Sequence, residues 1–399
     1  MKQKIFNLRY VIAAAICLVG LMASMSAWAQ DVQWEKNFGG SNDDGYYSVT
    51  AVSDGVVAAG YSYESSFGTG DWAGVAGKGY IDAILVKYDN NGNVVWKKNF
   101  GGSYFDYYYS VTAVSDGIVA AGYSNVGSFG TGDWAGVAGK GADDAILVKY
   151  DNNGNVIWKK NFGGSDEDCY YSVTAVSDGV VAVGYSYPSS FGNGDWTGVA
   201  GKGDAIIVKY DNNGNVLWKK NFGGSGGDYY TSVTAVSDGI IAAGWSSGFG
   251  TGDWAGVAGK GSDDAILVKY NNNGNVLWKK NFGDSGNDYY NSITAVSDGI
   301  VAAGWSSSFG TGDWVGVTGK GNEDAILVKY DNNGNVVWKK NFGGSSIDDY
   351  YSVTAVSDGV VAAGYSGDGS FGTGDWAGIA GKGKRDAILV KYNNNGDVV

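Results

Sequence analysis

Six copies of Gly-Asp-Trp offer the most chemically suggestive spacing in this chain. The pairs are Asp71 and Trp72, Asp133 and Trp134, Asp195 and Trp196, Asp253 and Trp254, Asp313 and Trp314, and Asp375 and Trp376. An indole presents a flat apolar face with a polar edge, and a neighbouring carboxylate accepts hydrogen bonds. Together they suit sugar rings, whose apolar faces stack while their hydroxyls are bonded. Six equivalent weak sites would gain avidity on a multivalent surface. The same residues also suit a simpler role, in which Phe67 and Trp72 pin down a Gly-rich loop as a small private core.

What is missing excludes more. The chain has no histidine, which removes Ser-His-Asp and Cys-His catalysis and histidine-bound metals together. Beyond the first 29 residues Arg385 is the sole arginine, so no arginine cluster can clamp phosphate or sialic acid. The repeated Gly-Lys-Gly around Lys78, Lys140, Lys202, Lys260, Lys320 and Lys382 opens no helix and is a poor phosphate cradle. Asp89-Asn90-Asn91-Gly92-Asn93 lacks the alternating oxygens and distal Glu of a calcium loop, and reads as a hairpin turn. Carboxylate pairs remain, because glycoside hydrolysis needs only two. Glu64, Glu167 and Glu323 break the repeat, yet they scatter along the chain. No catalytic residue, metal or cofactor is assigned.

These residues are carried by a repeat. The stretch Asp82 to Ser103, DAILVKYDNNGNVVWKKNFGGS, returns from Asp144, Asp204, Asp264 and Asp324, and in part from Asp386. Trp34, Trp96, Trp158, Trp218, Trp278 and Trp338 mark the period, spaced 62, 62, 60, 60 and 60 residues apart. Each unit reads as four strands: Tyr47 to Val52, Val56 to Ser62, Asp82 to Tyr88 and Val94 to Phe100. Asp-Gly and Asn-Gly turns separate them, with a long loop from Tyr63 to Ile81. No window holds a helical apolar pattern. Trp96 and its equivalents alternate with apolar neighbours and are expected between units.

The expected fold is all-β: a six-bladed β-propeller of ~60-residue four-stranded blades. Its closing strand is expected from the N-terminus, with Asp31 to Phe38 completing the last blade, whose own copy stops at Val399; the alternative is an open solenoid. Hidden edges would then protect against aggregation.

The pattern D-x-I-L-V-K-Y-D-x-N-G-N-V-x-W-x-K-x-F-G-G-S, followed by S-V-T-x-x-S-D-G-x-x-x-A-G-Y-S, resembles bacterial secreted β-propeller repeat proteins. More remotely it is similar to kelch and quinoprotein-like propellers. The resemblance implies the fold and little about activity. The chain departs from the pattern in its long loop, and in Asp-Gly followed by Val or Ile where a second Gly is commoner.

Residues 1–29 read as a signal peptide, with Lys2, Lys4 and Arg9 before an apolar run and Ala27-Trp28-Ala29 as the cleavage site. Residues 30–399 are then a single propeller domain, secreted to the periplasm or the medium and expected as a monomer. Without the leader the net charge falls from −13 to −16, which disfavours nucleic acid and anionic membrane surfaces. Cys169 alone remains, so no intramolecular disulfide forms. The expected function is non-enzymatic surface interaction, with a glycan or cell-surface ligand on the Gly-Asp-Trp face. The alternatives are a carboxylate-dependent glycoside-active or quinoprotein-like enzyme, or a purely structural repeat.

Overall fold

The computed structural model describes residues 34–399. The leader, its cleavage after Ala29 and residues 30–33 lie outside the described residues. Within them the chain forms six antiparallel sheets in sequence order, five of four strands and the last of three. It is an all-β, six-bladed propeller.

In the first blade β1 is Asp44–Val52, β2 Gly55–Tyr63, β3 Ile81–Asp89 and β4 Val94–Phe100. They pair in the order β1-β2-β3-β4, each with its neighbour in sequence. β1 begins three residues before its expected start. Gly55 is required where β2 leaves the first turn, because a Cβ there would lie 1.9 Å from the Tyr88 carbonyl oxygen. The β3–β4 turn is closed by Asp89, whose Oδ1 accepts the N–H groups of Asn91 and Asn93 at 2.9 and 2.8 Å. Its carboxylate is thereby held below the usual range by hydrogen bonds, those from Asn93 foremost.

Blades join through continuous apolar layers. Val57, Ala59, Ala83, Leu85 and Phe100 of blade 1 pack on Tyr108, Ile118, Ala120, Trp134, Ile146 and Val148 of blade 2. The first strands of consecutive blades lie together, which puts β1 on the inner side of the array. Trp96 sits between blades as expected, its Nε1–H donating to the Asn152 carbonyl at 3.0 Å. The turn glycine makes room for it: Gly154 has φ +75°, and a Cβ would lie 3.0 Å from the indole.

The expected closure requires correction. The last sheet contains only Asp348–Val356, Gly359–Gly367 and Arg385–Asn393. Residues 34–38 carry no strand pairing. They lie on blade 1, where Trp34 Nε1–H donates to the Asn90 carbonyl at 3.2 Å and Phe38 meets Trp72 edge-on at 4.9 Å. That is the place each β4-type strand takes on the following blade. Its hydrogen-bonding side would need Arg385–Asn393 alongside, and the five junctions do not bring that strand there. Leu389 is accordingly 71% exposed, whereas Leu85, Leu147, Leu267 and Leu327 are fully buried.

Candidate functional site: an aromatic rim

The Gly-Asp-Trp loop is a small core, and the expectation of exposed indole platforms is corrected. Gly70–Trp72 forms one 3-10 turn that folds Trp72 under the loop. Trp72, Trp134, Trp196, Trp254 and Trp314 are 0% exposed, and Trp376 is half-buried. The cause is a polar anchor at the indole edge. Trp72 Nε1–H lies 2.9 Å from Ser62 Oγ and 3.1 Å from Asp44 Oδ1. Phe67 and Phe38 close on its faces at 5.0 and 4.9 Å between centroids. No indole face is left for a sugar in these five loops.

The paired aspartates are also structural. Asp133 Oδ2 accepts from Lys78 Nζ of the preceding blade at 2.5 Å and from Gly101 N at 3.0 Å. Lys140 with Asp195, Lys260 with Asp313 and Lys320 with Asp375 repeat this ion pair. Lys78, Lys140, Lys260 and Lys320 are therefore junction staples. Asp71, with no preceding Gly-Lys-Gly blade among the described residues, accepts Gly39 N at 3.0 Å through Oδ2.

The half-buried aromatic rings lie nearer the axis, at the start of each first strand and the end of each second. The strand register sets Tyr107 opposite Tyr123, Tyr229 opposite Trp245 and Tyr289 opposite Trp305. Their rings stack within each blade at 5.2, 4.3 and 4.5 Å. Neighbouring blades join the same series: Tyr61 with Tyr107 at 5.5 Å, Tyr109 with Tyr171 at 5.5 Å, Tyr185 with Tyr229 at 5.0 Å and Trp245 with Tyr289 at 5.0 Å. An unbroken ribbon of half-buried rings thus runs from blade 1 through blade 5. In blade 6 it gives way to Asp349, which accepts from Asn291 Nδ2 at 3.0 Å, and to Arg385 lying 4.6 Å over Tyr365.

The six units diverge most around this ribbon. The residue preceding the conserved first-strand Asp is Asp43, Phe105, Glu167, Gly227, Asn287 and Ile347 in turn. The residue preceding the third-strand Asp is Ile81, Asp143, Gly203, Asp263, Glu323 and Arg385. The fold sets these two positions side by side across blades, pairing Ile81 with Phe105, Asp143 with Glu167, Asp263 with Asn287 and Glu323 with Ile347. By contrast, the slot of Tyr46, Tyr108, Tyr170, Tyr230, Tyr290 and Tyr350 never changes, because each hydroxyl bonds a second tyrosine of its blade, as Tyr108 does Tyr150 at 2.7 Å. Glu167 and Glu323, singled out as repeat-breaking, both fall on the rim, at different junctions.

Electrostatics there favour neutral hydroxyls and reluctant carboxyls. Burial foremost, then Tyr187, pushes the Tyr229 hydroxyl up to about 12. Burial raises Glu167, with Asp143 and Asp166 adding to it. Burial and Glu323 push Asp349 well up. Cys169, opposite Tyr185 in the ribbon, is buried and its thiol is driven far above the ordinary range by burial, so it is no nucleophile. Among the described residues no group of three or more His, Cys, Asp or Glu could hold a metal ion, and no helix is long and apolar enough to cross a membrane.

The sequence signal for the rim is the divergence between copies at these positions, whereas the faithful loop carries none. Comparison with known proteins adds little. No family model matches the chain. Over 204 residues it is 28% identical to the regulatory protein FlaEY of Caulobacter vibrioides, covering 48% of this chain and 20% of that protein. The chain thus spans about a fifth of the length of that relative. Solved structures with some likeness include a protein of unknown function from Bacteroides caccae (TM-score 0.37, 13% identity, 77% of this chain and 88% of that one). Others are BamB from Moraxella catarrhalis (0.35, 14%, 79% and 92%) and the WD40 β-propeller domain of Doa1 (0.33, 12%, 81% and 90%).

Proposed function

We propose that this protein is an exported, non-enzymatic binding protein that takes carbohydrate along its aromatic rim. The observation that carries this reading is the ribbon from Tyr61 to Trp305, half-buried, continuous across five blades and bordered by the positions at which the units differ most. Strands that stay uniform while a rim diverges are what a rigid scaffold presenting a recognition surface requires. Neutral tyrosine hydroxyls both donate and accept, and the rim carboxyls beside them add acceptors for sugar hydroxyls.

A continuous ribbon suits an extended glycan chain better than a single sugar, because successive residues can stack on successive rings. The test is a panel of soluble poly- and oligosaccharides titrated while tryptophan fluorescence is followed. Trp245 and Trp305 lie in the ribbon, so a bound chain should change their emission, with affinity rising with chain length. No response across neutral, acidic and amino-sugar polymers would defeat this reading.

A further inference from the structure

Blades 4 and 5 differ from the other four in three features that meet at one place on the rim. The first is the second-strand ring, which is Tyr61, Tyr123, Tyr185 and Tyr365 elsewhere but Trp245 and Trp305 here. The second is the first-strand residue beside it. Tyr47, Tyr109, Tyr171 and Tyr351 lie 5.3, 5.8, 5.6 and 5.6 Å from the second-strand ring of their own blade. Blades 4 and 5 carry Thr231 and Asn291 in that slot, which turn to the Tyr290 and Tyr350 carbonyls of the next blade at 2.6 and 3.0 Å. Each indole thereby lacks one ring of its own blade and keeps the other, Tyr229 or Tyr289.

The third feature is the loop that follows. Four residues separate Ser62 from Phe67, and blades 2, 3 and 6 match this, whereas Ser247-Gly248 and Ser307-Ser308 alone fill the same interval in blades 4 and 5. The 3-10 turns Glu64–Ser66 and Pro188–Ser190 have no counterpart in these two shortened loops. Tyr63 and Tyr187, which lean on the second-strand ring at 6.0 and 5.1 Å in blades 1 and 3, give way to Ser247 and Ser307. A larger half-buried ring with less built around it is what a stacking platform requires.

The polar groups at this junction suit hydroxyls. Asn287 is half-buried, and its side-chain amide bonds no group among the described residues. Its N–H donates to Ser307 Oγ at 2.8 Å, which holds it close to Trp305 in the chain. Across the blade boundary it sits beside Asp263, whose carboxylate accepts from the Tyr289 hydroxyl. The carboxyl pairs of the rim, Asp143 with Glu167 and Glu323 with Asp349, fall at other junctions.

We propose that the strongest sugar subsite of the rim is the junction of blades 4 and 5. Trp245 and Trp305 stack uncharged pyranose units there, and the Asn287 amide, donor and acceptor at once, takes a pair of their hydroxyls. Given the carbohydrate reading of the rim, on which this rests, the ligand narrows to a neutral polysaccharide. An acidic sugar would be repelled by Asp263 and by the net charge of −13. An ammonium would give up water for a carboxylate that Tyr289 already engages.

Calorimetric titration of the full chain with a soluble glucan, a mannan and a galactan, and with chitosan and polygalacturonate oligomers, tests this. At least one neutral polymer should bind more tightly than either charged one. Asn287→Ala breaks no side-chain bond of the fold and should weaken that binding about fivefold, the worth of one hydrogen bond. Thr231→Tyr puts back beside Trp245 the ring that other blades carry, and should weaken binding by a similar factor, with circular dichroism confirming the fold. Preference for a charged polymer, unchanged affinity in both variants, or a greater loss from Glu167→Gln than from Asn287→Ala would overturn the assignment and leave the carbohydrate reading standing. Binding of none of these polymers would defeat both.

Discussion

Lys78 reaches across a blade boundary to Asp133, Nζ to Oδ2 at 2.5 Å, and the same carboxylate oxygen accepts the N–H of Gly101. This one relationship accounts for two of the most faithful features of the repeat, Gly-Lys-Gly and Gly-Asp-Trp. Both are parts of a junction. Each side chain of the pair is about a third exposed, so the ion pair itself contributes modestly. Asp133→Ala should cost about 1–2 kcal/mol, mostly for the unsatisfied Gly101 N–H, since the Lys78 ammonium keeps its bond to the Asn99 carbonyl. Lys78→Met added to it should cost less than Lys78→Met alone, by the worth of the lost ion pair, while still losing the bond to the Asn99 carbonyl; chemical denaturation of the double-mutant set measures that coupling.

The indole beside that aspartate is worth more. Trp134 is fully buried, met edge-on by Phe100 and at a tilt by Phe129, and bonded through Nε1 to Ser124 and Asp106. Trp134→Ala should destabilise the fold by about 3–5 kcal/mol. It should leave glycan affinity of the folded fraction unchanged, which calorimetry below the melting transition can check.

Acid should strengthen this protein before it weakens it. Burial raises Asp82, Asp228 and Asp288 to about 6, above their ordinary value of 3.8. Between these limits the folded state binds more protons than the unfolded chain, so stability falls as pH rises through the window and is regained on acidification. Surface carboxylates held low, such as Asp54 beside Lys87, act oppositely and lose their contribution only as pH falls below about 4. The melting temperature should therefore rise from pH 7.5 to about pH 5 and fall again below pH 4.

The strands, turns and period were legible because each rests on local chemistry: β-branched and aromatic runs, Asp-Gly and Asn-Gly turns, and a beat of tryptophans. The environment of Trp72 was not, since its anchors Ser62 and Asp44 lie 10 and 28 residues away and meet it only in the folded blade. An exposed and a buried Gly-Asp-Trp read identically. The position of residues 34–38 was half legible. Their pattern is that of a fourth strand and they pack as one on blade 1, but which sheet they join depends on the turn accumulated over five junctions. The rim escaped because Tyr107, Tyr123 and Tyr229 look like ordinary strand residues one by one; only cross-strand register and blade neighbours assemble them into a ribbon.

The central claim is that recognition belongs to the rim and not to the Gly-Asp-Trp loops. The direct measurement compares polysaccharide affinity in wild type and in a variant carrying Tyr229→Ala, Trp245→Ala, Tyr289→Ala and Trp305→Ala, with circular dichroism confirming that both are folded. The account predicts at least a tenfold loss of affinity in the folded variant, because the stacked pairs at 4.3 and 4.5 Å are removed from the middle of the ribbon. Equal affinity in the two proteins would contradict it.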